Sequence, residues 1–302
     1  MTLNDLTQMF STDEQCRALL KKLRWPYGVE CLRCKSKKVF ELAEYAKFEC
    51  GECGYQFSVT TQTIFHDTHL PLETWLMAVL LLVEARKGMS ANQLKRTLRI
   101  GSYKTAWYLC HRIRAAMKEV DRMMLDGTCE MDETYVGGRH RGAGLRGRGA
   151  GKEIVIGIRQ RSQEGRTGEL RFFHASDVKS GTLARYIRES VSQDVDVIVT
   201  DDFSAYPFAM RKAAVTAEHK RINHSSGVYV EGDVHTNTVE SAFSLLKRGI
   251  IGSWHKISAK HLPAYLDEMQ FRFNRRKNPD LFIDTLRHMI TADPLTFANL
   301  IA

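Results

Sequence analysis

Three acidic residues stand where they could together hold metal ions. Asp132 lies inside a predicted strand, TCEMDETYVGG, and Asp201 ends the apolar run VDVIVTDD. Glu240 lies on the polar face of a predicted amphipathic helix, VHTNTVESAFSLLKRG, with Lys247 two turns later. Acids within strands are costly unless they are neutralised. Two magnesium ions bridged by these carboxylates would neutralise them and promote in-line attack of water or a hydroxyl on a phosphodiester.

Each of these acids also has a simpler interpretation. Glu240 could form a surface ion pair, as most isolated carboxylates on a helix do. All three could be unrelated surface acids, since the chain contains 35 Asp and Glu residues. Glu130 and Glu133, which flank Asp132, and Asp202, which follows Asp201, have no separate role in this prediction.

Four of the seven cysteines form two CxxC pairs, CLRC and CGEC, with fifteen residues between the pairs. Each pair can place two thiolates on one tetrahedral ion, and the intervening length suits a short hairpin. The alternative, a pair of redox dithiols, lacks a strand–helix context. We therefore expect one structural zinc ion bound through Cys31, Cys34, Cys50 and Cys53.

The elements that must position the acids are predicted from residue periodicity. The segments TCEMDETYVGG, EIVIGIRQR and ELRFFHAS read as strands, SGTLARYIRESVSQ as a crossover helix and VDVIVTDD as a fourth strand. This order, followed by helices, predicts a mixed α/β sheet of the ribonuclease H-like type. In such a sheet Asp132 and Asp201 lie side by side, and Glu240 comes from a later helix.

Helices are predicted between the cysteines and this sheet. LPLETWLMAVLLLVEARKG reads as a buried helix, and Ser90 and Ser102 are placed to begin two more. These two resemble a helix-turn-helix whose second helix enters a major groove, with Tyr103, Lys104, Thr105 and Arg112 near its start or exposed side. A plain three-helix packing unit is the alternative.

Composition limits the classes of partner. The 302 residues carry a net charge of +9, which favours a polyanion. The longest apolar run, Trp75 to Val83, is too short to span a bilayer, and no export signal is visible. We expect a cytoplasmic, nucleoid-associated protein that does not enter a membrane.

A glycine–arginine stretch and several histidines lie near the predicted site. The stretch from Gly137 to Glu153 is either a disordered loop or a DNA-contacting segment. His219, His224 and His235 are expected to pack or contact DNA rather than bind metal.

Together these segments resemble a known family. MDETYVGG, VTDDFSAY and VHTNTVESAFSLLKRGI look like the three signature blocks of bacterial insertion-sequence transposases of the Merlin-related group. That group carries an Asp-Asp-Glu or Asp-Asp-Asn catalytic domain, often after a zinc ribbon. The tail HLPAYLDEMQFRFNRR also matches, so the resemblance covers nearly the whole chain.

The resemblance implies a role for individual residues. Asp132 and Asp201 would be the first two metal-binding acids, Glu240 the third, and Lys247 a basic residue that reaches DNA. Asn237 is an alternative third ligand. The implied cofactors are Mg²⁺ or Mn²⁺ at the catalytic site and structural Zn²⁺.

The resemblance also implies an activity and a domain order. The chain would bind terminal inverted repeats, cleave phosphodiesters and join strands to target double-stranded DNA, as a homo-oligomer on DNA. A domesticated DNA-binding regulator and a nuclease without strand transfer are the alternatives. We expect a ribbon segment over residues 1–66, a helical DNA-binding region over 67–125 and the catalytic domain over 126–302.

Overall fold

The chain forms two compact units. One comprises residues 1–118 together with 278–302, and the other comprises residues 119–277. The computed structural model describes residues 2–120, 122–137, 152–163, 165, 167–222 and 234–302. Most of the glycine–arginine stretch, residues 138–151, and His224 lie outside these ranges, so the predictions made for them stay predictions.

The described residues contain helices and strands in both units. The helices are α1 (Leu3–Met9), α2 (Asp13–Arg24), α3 (Leu72–Glu84), α4 (Ala91–Thr97), α5 (Tyr103–Ala116), α6 (Ser180–Ser190), α7 (Ala205–Ala213), α8 (Asn237–Gly249), α9 (Leu262–Asn274), α10 (Leu281–Thr291) and α11 (Phe297–Ile301). The strands are β1 (Val39–Leu42), β2 (Lys47–Cys50), β3 (Gln56–Phe57), β4 (Leu125–Val136), β5 (Glu153–Gln160), β6 (Leu170–Ala175), β7 (Val191–Asp201) and β8 (Glu218–Ile222). None of the helices in these ranges has the length and apolar character needed to cross a bilayer.

The first unit begins with a small antiparallel sheet in the order β1-β2-β3. Its core contains two of the predicted zinc ligands, Cys31 and Cys50, together with Phe48 and Phe57. So few apolar side chains cannot stabilise a module of this size alone, which is the usual reason for a structural metal.

The predicted helices of the first unit are present. The hydroxyls of Ser90 and Ser102 accept hydrogen bonds from the third residue of α4 and of α5, so both serines cap as predicted. One expectation was wrong. Arg112 is buried, because its guanidinium donates to the carbonyl of His66 at 2.6 Å and stacks on Trp75.

The last residues of the chain belong to the first unit. The prediction assigned residues 278–302 to the catalytic domain, but α10 packs against α2, α3 and α5. Its apolar stripe, with Phe282, Leu286 and Met289, is buried. The local sequence does not show which unit α10 belongs to, because its apolar stripe could pack in the core of either unit.

The second unit contains the predicted mixed sheet, in the order β6-β5-β4-β7-β8. β4, β5 and β6 are antiparallel neighbours, whereas β7 lies parallel to β4 and β8 lies parallel to β7. Helices α6 and α7 cover one face, and α8 and α9 cover the other. The sequence did not predict β8, because Glu218, His219, Lys220 and Arg221 make it too polar for a strand pattern.

Candidate active site

The two predicted aspartates meet at one edge of the sheet. β4 and β7 run parallel with Met131 opposite Thr200, so the next residues, Asp132 and Asp201, are neighbours. One carboxylate oxygen of each, together with one of Glu133, lies within 4.8 Å of the others. Parallel pairing therefore brings together acids that are far apart in the sequence.

Glu133 is a member of this cluster that the sequence analysis did not single out. Its Oε2 accepts a hydrogen bond of 2.8 Å from the hydroxyl of Tyr206 on α7. Tyr206 is fully buried, and this burial, with the charge of Glu133, raises its pKa well above the ordinary value. The phenol therefore stays a donor and holds Glu133 in place.

The electrostatics of the cluster are those of acids crowded together, as the pKa of Asp132 shows. Burial is the largest cause that raises the pKa of Asp132 to about 8. The charge of Glu133 adds to it, and those of Asp201 and Glu240 add further. The N–H of Glu133, which donates to Asp132 Oδ1 at 2.8 Å, acts in the opposite direction and is outweighed. Such a site favours a bound cation.

Glu240 lies beside this cluster but is not part of its closest group. It is on the first turn of α8 and is partly buried, and its Oε1 accepts a 2.7 Å hydrogen bond from the hydroxyl of Thr236. The predicted apolar stripe of this helix is confirmed, with Val239, Ala242, Phe243 and Leu246 buried. The helix begins at Asn237, three residues later than predicted.

The remaining predicted residues of this helix are exposed. Asn237 is the first residue of α8, one turn before Glu240, and Lys247 lies near the other end of the helix. Among the neighbouring acids, Asp202 turns to the surface and pairs with Arg221 at 3.1 Å. Glu130 is fully buried and bonds to the first turn of α8 rather than to the cluster.

Comparison with known proteins assigns the chain to a family. Residues 124–274 match the ISXO2-like transposase domain, which is half of the chain and nearly all of the second unit. The chain belongs to the ISXO2-like transposase family. Residues 11–56 match the transposase zinc-ribbon domain.

A relative of this transposase comes from a mobile element. Over 280 residues the transposase is 31% identical to an uncharacterised protein of the transposable element ISH50 in Halobacterium salinarum. The match covers 87% of this chain and 91% of that protein. The chain is thus a transposase of an insertion-sequence family with an amino-terminal zinc ribbon.

The zinc ribbon of the transposase brings its four cysteines together. The four Sγ atoms lie within 4.8 Å of one another, with 3.6 Å between Cys31 and Cys53 and 3.5 Å between Cys34 and Cys50. Zinc–sulfur bonds of about 2.3 Å in a tetrahedron separate the sulfurs by about 3.8 Å, so the set fits zinc. Backbone N–H groups, that of Cys53 first, lower the pKa of the Cys50 thiol and favour the thiolate.

The two described histidines near the active site of the transposase contact other polar side chains of the second unit. His219 Nε2 lies 3.0 Å from the hydroxyl of Thr200, and burial lowers its pKa. His235 Nδ1 lies 3.3 Å from Glu130. Neither belongs to the carboxylate cluster, and the expectation that they pack or contact DNA stays a prediction.

Proposed function

We propose that this transposase cleaves DNA phosphodiesters with divalent metal held by Asp132, Asp201 and Glu240, and then transfers the freed strand to target DNA. The observation that carries the proposal is the meeting of Asp132 and Asp201 within 4.8 Å, with Glu240 close enough to raise the pKa of Asp132. The strand order, with three antiparallel strands followed by two parallel ones, supports a ribonuclease H-like fold.

The residues of the site suit Mg²⁺ or Mn²⁺. Their donors are carboxylate oxygens, which these hard cations prefer, and their crowding leaves negative charge to be neutralised. A bound ion would polarise the phosphodiester and stabilise charge on the attacking and leaving oxygens. The chain's own contribution is orientation: Phe203 N–H holds Asp201 at 3.1 Å, and the Thr236 hydroxyl holds Glu240.

DNA recognition is proposed for basic and aromatic surfaces in both units. Lys247 is exposed on α8 two turns from Glu240 and would contact a phosphate near the scissile bond. Tyr103 and Lys104 are exposed at the start of α5, as a groove-reading helix requires. We propose that the ribbon, holding structural zinc, and helices α4 and α5 bind the terminal inverted repeats.

Further parts of the proposal rest on the sequence alone. These are membership of the Merlin-related group, assembly as a homo-oligomer on DNA and association with the nucleoid. The three blocks around Asp132, Asp201 and Glu240 support the first, and the net charge of +9 supports the last.

A cleavage assay on the element's own labelled repeat end tests this function. Asp132→Asn, Asp201→Asn and Glu240→Gln should each slow single-turnover cleavage in Mg²⁺ by at least about a hundredfold, because each removes charge from the site. Asp202→Asn is the matched control, since its carboxylate pairs with Arg221 at the surface. It should cleave at the wild-type rate.

The same assay identifies the third metal ligand. Glu240 is partly buried beside Asp132, whereas Asn237 is exposed. Glu240→Gln should therefore abolish cleavage, while Asn237→Ala only weakens it; the opposite ranking would transfer the role to Asn237. Joining of the cleaved end to a target plasmid distinguishes a transposase from a plain nuclease. Normal cleavage by all three acid variants would refute the proposed site.

A further inference from the structure

Glu130 is a fully buried carboxylate on β4, two residues before Asp132. A buried charge is costly unless every oxygen is bonded. Its Oε2 accepts hydrogen bonds from the backbone N–H groups of Thr238 at 2.8 Å and Val239 at 2.9 Å. Its Oε1 accepts from Arg161 Nε at 2.7 Å and lies 3.3 Å from His235 Nδ1. Glu130 therefore links β4 to the start of α8.

The start of α8 needs such a partner. The first N–H groups of a helix have no intrahelical acceptor, and a side chain at the N-cap usually supplies one. Thr236 occupies the N-cap but makes no side-chain capping hydrogen bond; its hydroxyl donates to Glu240. Glu130 bonds the second and third N–H groups from another element. Its negative charge also suits the positive end of the helix dipole.

Other contacts hold the same turn of α8 on the sheet. Arg159 on β5 donates to the carbonyl of Thr238 at 2.8 Å and to the hydroxyl of Ser241 at 3.1 Å. Gly157, which pairs with Asp132 across β4 and β5, lies under Phe243 and Val239. These contacts set the distance between α8 and the sheet, whereas Glu130 holds the end of α8 that carries Glu240.

We propose that Glu130 is a positioning residue of the active site: by capping α8 from strand β4, it keeps Glu240 next to Asp132. One strand thus carries a metal-binding acid and, two residues earlier, the acid that anchors the helix supplying another. Glu130 itself does not join the carboxylate cluster. This inference rests on the proposed function, in which Glu240 binds metal.

The first test needs no metal and no DNA. In Glu130→Ala, two backbone N–H groups and Arg161 lose their buried partner. Hydrogen exchange of the first turn of α8, measured on the full chain by mass spectrometry, should accelerate by at least about tenfold. Glu130→Gln keeps one acceptor oxygen and should exchange at an intermediate rate. Glu268→Gln is the control, because it removes another fully buried acid, paired with Arg272 on α9 at 3.0 Å. It should leave this turn unchanged.

The second test measures Mn²⁺ binding to the full chain without DNA, by paramagnetic resonance. Partners behind metal ligands contribute about ten- to a hundredfold to metal affinity. Glu130→Ala should weaken Mn²⁺ binding by this factor, with partial rescue in Glu130→Gln. Its effect should largely disappear in a Glu240→Gln background, since the two residues act as a unit. If Glu130→Ala does not fold, Glu130→Gln and Glu130→Asp carry the same comparison.

The outcomes separate this inference from the proposed function. If Glu240→Gln weakens Mn²⁺ binding while the Glu130 variants bind normally, the positioning role is wrong and the function stands. If Glu240→Gln binds Mn²⁺ normally, the proposed ligand set fails, whereas faster exchange in Glu130→Ala would still establish the cap. Unchanged exchange in a folded Glu130→Ala overturns the inference by itself.

Discussion

Asp132 is an acid whose environment strongly favours the protonated form. Its pKa of about 8 means that the metal-free site retains a proton at neutral pH. A divalent ion must displace this proton in order to bind, so metal affinity should rise with pH up to about 8. The acid is held in an environment that disfavours its charged form, and a bound cation would relieve this.

This environment predicts how stability depends on pH without metal. The unfolded chain releases the Asp132 proton near pH 4, whereas the folded chain keeps it to about pH 8. The stabilisation is therefore complete below pH 4 and decreases as pH rises to 8, by up to about 1.4 kcal/mol per pH unit. In Asp132→Asn the free energy of unfolding should lack this dependence on pH. At pH 8 the variant should therefore be more stable than the wild type.

Urea unfolding of the full chain at pH 5, 6.5 and 8, with EDTA or Mg²⁺, measures this effect. Mg²⁺ should restore wild-type stability at pH 8 and leave Asp132→Asn nearly unchanged. Asp202→Asn serves as the control for loss of one negative charge. Identical pH slopes for Asp132→Asn and wild type would contradict the raised pKa.

At the scale of elements, α8 and the sheet fit closely at Gly157. A Cβ atom added there would lie 2.7 Å from the ring of Phe243 and 3.0 Å from Val239, and the Phe243 ring is itself stacked on Phe172. Because the ring is packed on both sides, Gly157→Ala should destabilise the protein by about 1–3 kcal/mol. It should also slow cleavage by displacing the helix that carries Glu240.

Two variants make this prediction specific. Phe243→Leu in the Gly157→Ala background frees space and should recover part of the stability and the cleavage rate. Gly181→Ala on α6 has no neighbour within 4 Å of the added atom and should be neutral or slightly stabilising. Equal effects of the two glycine substitutions in denaturation experiments would show that contact with α8 is not the cause.

The zinc ribbon is the element whose stability depends most on a metal. Cys50→Ser removes one of four sulfurs and should reduce zinc from one per chain to well below one, unfolding residues 31–57. Elemental analysis and limited proteolysis measure both effects. Cys110→Ser, at a buried cysteine of α5 outside the ribbon, should keep its zinc. A freshly purified wild-type chain without zinc would refute the assignment.

For the whole molecule, the two ends of the chain build one unit. Helix α10 buries Phe282, Leu286, Met289 and Ile290 in the unit that also contains the ribbon. Burial of each large apolar side chain contributes about 1.5–3 kcal/mol. Loss of all four is comparable with the whole stability of a domain, about 5–15 kcal/mol.

Truncation after Lys277 should therefore damage the first unit and spare the second. We expect α2 and α3 to become sensitive to protease and binding to the inverted repeats to be lost. Mn²⁺ binding at Asp132 and Asp201 should persist, and a fragment of residues 119–277 should fold. Resistance of the truncated chain's first unit to protease would contradict the domain assignment.

Several features of the protein follow from local sequence. The two CxxC pairs predict the ribbon because the ligands of each pair are three residues apart. The apolar period of α8 predicts its buried stripe, and the serine caps predict where α4 and α5 begin. Even the meeting of Asp132 and Asp201 was predicted from the sequence, because the order of three strands, a crossover helix and a fourth strand indicated a sheet in which the first and fourth strands are neighbours.

The tertiary structure alone decided the rest, because each remaining feature depends on contacts between distant residues. Glu130, Asp132 and Glu133 are nearly adjacent and chemically alike, yet one caps a helix and two line the cluster. Their roles differ because each contacts a different segment of the protein. Glu130 accepts hydrogen bonds from Thr238 and Val239, whereas Glu133 accepts one from Tyr206. Likewise, the stripe of α10 shows that the helix is buried but not in which core, because hydrophobic burial is non-directional.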